Sequence, residues 1–211
     1  MCNLTTKNYN RIFLSLTKNL RREGFSVAAV IKQLLAQTGE SGEWPNDARF
    51  AEAWLKRPMY GPLNNPKLVH VLARLNSTFA SSKAEAIVFS QQPSVEHILP
   101  QEWVQHWPLP NGSKGLDFGQ LFLAKDDDPS AIATRARESA LHTIGNLTIL
   151  STALNVAQSN APWSTKRAEM MKHSLLPINQ PLFKLDVWDE NAMRVRAQDL
   201  LVRAQKIWPR P

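Results

Sequence analysis

The chain has 211 residues, 43% hydrophobic and 20% charged, with a net charge of +7. Its length allows one large domain or two small ones with ample core, and its composition excludes a disordered chain. Cys2 is the only cysteine, which excludes internal disulfides and multi-cysteine zinc sites and favours a reducing compartment. A cytoplasmic location is expected, with no membrane partner, because no apolar run approaches the roughly 20 residues that span a bilayer. Residues 1–80 hold 11 Lys and Arg against 5 acids. That excess suits a polyanion, and suits an ordinary basic surface about equally well.

The N-terminal third reads as helical. Ile12, Phe13, Leu16 and Leu20 recur at helical spacing, with Arg11, Lys18, Arg21 and Arg22 mostly off that stripe. Gly24 ends the helix, and Ser26 is a suitable N-cap for a second over residues 27–37. Gly39, Gly42 and Pro45 mark a loop, after which Asp47 is expected to cap a third helix containing Phe50, Trp54 and Leu55. Asn65-Pro66 starts a fourth, with Leu68, Val69, Leu72, Leu75 and Phe79 as its buried stripe and His70 off it. Lys18, Arg21 and Arg22 read either as a solvated helix face or as phosphate contacts.

Residues 84–89 read as a short strand. Residues 95–101, Val-Glu-His-Ile-Leu-Pro-Gln, read as a strand running into a loop, because Pro100 disfavours helix before it. Trp103 and Trp107 suggest a short amphipathic helix, and residues 108–128 a surface loop. Asp128-Pro129 starts a helix through Leu141. Leu147 to Leu150 reads as a strand, Ser151 as the cap of a short helix bearing Asn155, and Ser164 as the cap of another carrying Lys166 and Arg167. A last helix spans about residues 188–208.

One stretch carries chemistry. Glu96 and His97 set a carboxylate beside an imidazole, and Asn146, Asn155 and Asn160 follow in a strand-then-helix segment. A histidine suits the task of deprotonating water, because its ordinary pKa of about 6.5 lies near working pH. Carboxylate and carboxamide oxygens suit Mg²⁺ or Mn²⁺ better than zinc. Adjacent residues of a strand point to opposite faces, so Glu96 and His97 share a site only if the chain turns between them. No HExxH, P-loop, GxSxG or GxGxxG motif competes.

Glu96-His97-Ile98-Leu99-Pro100-Gln101, Ile144-Gly145-Asn146-Leu147-Thr148, Leu154-Asn155, Ser159-Asn160 and Lys166 together resemble the HNH nucleases of the His-Me-finger (ββα-metal) class. The likeness is greatest to the C-terminal nuclease domain of GmrSD-like, modification-dependent restriction enzymes. It implies a mainly α fold: a helical domain enclosing a small ββα-metal unit. The expected parts are an N-terminal helical part (1–82), a nuclease core (83–175) and a C-terminal helix (176–211).

The resemblance makes His97 the general base and Asn146 the residue that holds the histidine loop. It makes Glu96 and Asn155 ligands of Mg²⁺ or Mn²⁺. His142, Asn160, Lys166 and Arg167 become candidate phosphate contacts beside Lys18, Arg21 and Arg22. Two departures stand out: Glu replaces the usual Asp before the base, and Asn stands where many members have a metal-binding His. The implied activity is metal-dependent DNA cleavage in restriction or phage defence, with an N-terminal ParB-like nucleotide-binding domain as partner. A non-catalytic nucleic-acid-binding module is the alternative.

Overall fold

The computed structural model describes residue 2 and residues 4–81 and 92–211. The strand expected at 84–89 lies outside the described residues. Helices dominate: α1 (Tyr9–Glu23), α2 (Val27–Leu35), α3 (Asp47–Lys56) and α4 (Asn65–Ser77) precede strand β1 (Ser94–His97). Then come α5 (Phe118–Leu123), α6 (Pro129–Leu141), strand β2 (Leu147–Leu150), α7 (Thr152–Gln158), α8 (Trp163–His173) and α9 (Glu190–Ile207). Short 3₁₀ segments lie at Trp103–Gln105, Ile144–Asn146 and Pro177–Lys184.

Local sequence explains most of the boundaries. The side chains of Ser26, Asn64, Asp128, Ser151 and Asp189 each accept a first-turn backbone N–H, which satisfies donors that the helix itself leaves open. The cap of α3 is Asn46 rather than Asp47, and α8 starts at Trp163 after Pro162 rather than from Ser164. The expected loop at 108–128 contains α5, fastened by a reciprocal capping box between Asp117 and Gln120. Phe118, Phe122 and Leu123 on that helix are exposed, so it carries no buried stripe by which periodicity could reveal it.

The strands pair antiparallel, with Glu96 opposite Thr148 and His97 opposite Leu147. All four residues of β2 are buried, because it lies between two apolar clusters. One joins Trp54 of α3 and Leu68, Leu72 and Leu75 of α4 to Ile144, Leu147, Ile149, Leu200 and Ala204. The other joins Ile98, Leu99, Trp103 and Trp107 to Leu150, Trp163, Met170, Trp188 and Met193. Each fully buried leucine contributes about 1.5–3 kcal/mol, so these clusters hold β1 and β2 firmly in place. The first cluster draws on residues from 1–82, 83–175 and 176–211 alike.

Helix α9 touches the 144–146 turn at backbone distance. A Cβ on Gly145 would stand 2.2 Å from the Met193 carbonyl oxygen, so only glycine permits this approach. Among the described residues no helix is long and apolar enough to cross a membrane.

Candidate active site

Asn146 is fully buried and uses its whole carboxamide. Oδ1 accepts from Leu99 N (2.8 Å) and Trp188 Nε1 (3.0 Å), while Nδ2 donates to Leu99 O and Leu141 O, each at 2.9 Å. Its backbone carbonyl accepts from Ile98 N at 2.9 Å. One side chain therefore ties the segment after His97 to the end of α6 and to the Trp188 indole. An amide with two donors and two acceptor sites is the residue type that can do this without leaving a buried polar atom orphaned.

His97 ends β1, only 6% exposed. Its Nε2 lies 3.0 Å from His142 Nδ1. Tyr60, in the connector between α3 and α4, meets the His97 ring edge-on at 4.6 Å and stacks on His142 at 5.6 Å. The His142 carbonyl in turn accepts from Met59 N and Tyr60 N, at 2.7 and 3.2 Å. Burial first, then His142 and Lys166, holds the His97 pKa down at about 3, so the free site carries a neutral imidazole.

Glu96 faces the other way. Its carboxylate bonds the ammonium of Lys166 on α8, and Lys166 Nζ also donates to the His97 carbonyl at 2.9 Å. Burial pushes the Glu96 pKa up and the Lys166 pKa down, against the attraction between them. Asn155 on α7 donates from Nδ2 to Ser94 Oγ (2.8 Å) and Val95 O (3.1 Å). Ser94 and Glu96 share a strand face by alternation. The bend begins only at Ile98, after the strand, so no turn separates Glu96 from His97. The expected site is thus divided: His97, His142 and Tyr60 cluster together, and Glu96 with Lys166 lies across the strand from them.

The remaining candidates scatter. Lys166, expected at a phosphate, is fully buried and engaged by Glu96 instead, because an exposed position would leave that carboxylate uncompensated. Arg167 donates instead to Leu185 O and the Asp186 carboxylate. Asn160 is half-buried, and His142 belongs to the histidine cluster. Lys18, Arg21 and Arg22 are exposed on α1, with Arg22 paired to Glu23. Tyr60 and Trp188 carry no local sequence signal for their places, since each arrives from an element distant in the chain.

Among the described residues no three His, Cys, Asp or Glu side chains converge as a metal site. The available donors near β1 are the Glu96 carboxylate and Asn155 Oδ1, hard oxygens of the kind that Mg²⁺ and Mn²⁺ accept alongside water. By donor chemistry they fit such an ion. Lys166 already takes Oε1 of Glu96, so an ion there and the ammonium would share one carboxylate.

No curated protein and no solved structure matches the chain. Residues 44–203 match the family described as GmrSD restriction endonucleases, C-terminal domain. That span contains β1, β2, the Asn146 clasp and most of α9, and it leaves out α1 and α2. Over most of its length, therefore, this chain belongs to the family of GmrSD restriction endonuclease C-terminal domains.

Proposed function

We propose that the chain is an HNH-type, metal-dependent DNA endonuclease of a restriction or anti-phage system, built on a ββα-metal unit of β1, β2 and α7. The observation that carries this reading is the Asn146 clasp. It grips the segment leaving His97 by two hydrogen bonds to Leu99 and anchors it by two more to Leu141 O and Trp188 Nε1, a rigidity that a base needs and a surface histidine does not. His97 takes a proton from water at the ring nitrogen not engaged by His142. Glu96 and Asn155 hold Mg²⁺ or Mn²⁺, which when bound neutralises charge growing on the phosphate. Basic residues of α1, with Arg167 and Asn160, remain the candidates for contact with the DNA backbone, while His142 is taken up by the His97 cluster. A ParB-like nucleotide-binding domain is the proposed partner, and the cytoplasm the proposed location.

A second reading, a binding module without catalysis, is favoured by one observation: Glu96 is spent on Lys166. Plasmid relaxation on modified and unmodified DNA, with and without Mg²⁺ or Mn²⁺, separates the two. Metal-dependent cutting supports the enzyme. DNA binding with no cutting in any metal supports the module.

A further inference from the structure

The contact between His97 and His142 assigns one more role. Their rings meet at 78°, with Nε2 of one 3.0 Å from Nδ1 of the other. Two ring nitrogens at this distance share one proton, and two arrangements are open to them. If the proton sits on His142 Nδ1, the proton of His97 is on its own Nδ1 and that nitrogen has no lone pair to offer. If it sits on His97 Nε2, His97 Nδ1 is free to accept. The bond made by one ring nitrogen decides which tautomer the other presents.

We propose that His142 is a positioning residue for His97: its Nδ1 accepts the Nε2–H of His97, fixing the tautomer and the ring plane in which Nδ1 acts as base. This rests on the endonuclease reading of His97. His142 is itself well held. Its carbonyl takes two backbone N–H groups and its ring lies on Tyr60 with only 20° between the planes. In the reaction the water proton goes to His97 Nδ1, while the Nε2–H stays in its bond to His142. The new charge is then spread along that bond. This is the service that a carboxylate gives the histidine of a catalytic triad.

An acceptor swap tests it. In His142→Asn the carboxamide Oδ1 occupies the place of the imidazole Nδ1, so the acceptor is kept. In His142→Phe the ring on Tyr60 is kept and the acceptor is removed. We expect His142→Phe to cut DNA about 10²-fold more slowly with unchanged DNA affinity, within the usual worth of a base. His142→Asn should remain within a few-fold of the parent.

Nitrogen-15 NMR of the histidine rings in the full chain reads the bond without any activity. His97 should be protonated at Nε2 in the parent and in His142→Asn, and should become a tautomer mixture in His142→Phe. Equal loss of cutting in both variants, or His97 protonated at Nδ1 in the parent, overturns the proposal. So does weakened binding by His142→Phe with bound DNA cut at the parental rate. His97→Ala run in parallel keeps the two readings apart. Parental cutting by that variant removes His97 as base, whatever the NMR finds for the bond.

Discussion

The ammonium of Lys166 and the carboxylate of Glu96 meet inside the protein, 70 residues apart in sequence, with their side chains only 1% and 9% exposed. Burial raises the Glu96 pKa and lowers that of Lys166, so the pair carries a desolvation cost that its own attraction opposes. Removing one partner leaves the other charge buried alone. Lys166→Met should therefore lower unfolding stability by about 3–5 kcal/mol, the range for breaking a buried pair. Adding Glu96→Gln should recover much of it. Urea unfolding of the two single variants and the double variant checks the coupling, and additive losses would count against it.

His97→Ala should slow cutting by about 10²–10⁴-fold, the worth of a general base. DNA affinity should stay near the parental value, because phosphate contacts dominate it and none is removed. Single-turnover cleavage and DNA binding, measured on the same preparations, give both numbers. Parental cutting by a nuclease-free preparation would remove His97 from the chemistry.

Acid should destabilise the protein partly through this same ring. In the unfolded chain the imidazole binds its proton near pH 6.5, whereas in the fold its pKa is held at about 3. A depressed folded value means that the contribution is complete above about 6.5 and is lost as pH falls toward 3. The slope from this one group is at most about 1.4 kcal/mol per pH unit. His97→Gln should flatten stability against pH in that window, as followed by urea midpoints, while leaving the curve above pH 7 with the same shape. An unchanged slope would show that the ring titrates normally in the fold.

Asn146→Asp should be more damaging than its size suggests. The amide donates to Leu99 O and Leu141 O, and a carboxylate would set an acceptor against both carbonyls. A loss of at least about 3 kcal/mol is expected from a buried charge with unsatisfied partners. Gly145→Ala should also unfold or displace α9, since the added Cβ meets backbone at 2.2 Å. Thermal melts of both variants measure this, and near-parental midpoints would be the contrary result.

The α1 cluster should behave in the opposite way to His97. Lys18, Arg21 and Arg22 are exposed, so replacing them with Ala should leave stability within about 0.5 kcal/mol. If they touch phosphate, DNA affinity falls, and its log–log salt dependence flattens by about 0.9 for every phosphate that is no longer neutralised. Affinity and salt slope unchanged in the triple variant would place DNA elsewhere on the surface.

Much of the helical frame was legible in the chain alone. Ser26, Asp128 and Ser151 mark helix starts because capping is a bond between residues two or three apart, visible without any fold, and Asn65-Pro66 falls in the first turn of α4, whose cap is Asn64. The spacing of Leu68, Leu72 and Leu75 announced a buried face for the same local reason. The strand at 147–150 was legible too, as a short apolar run after the Ile-Gly-Asn turn. The partners of the site were not legible. Tyr60, His142, Lys166 and Trp188 reach β1 and Asn146 from separate elements, and nothing in their neighbours encodes the meeting. Helix α5 was hidden because its apolar residues face solvent and show no buried period. Sequence determines which side chains are available and which local turns they favour. Only packing of α6, α8 and α9 around the strand pair decided that His97 faces a second histidine and Glu96 a lysine, because strand alternation sends neighbours to opposite sides.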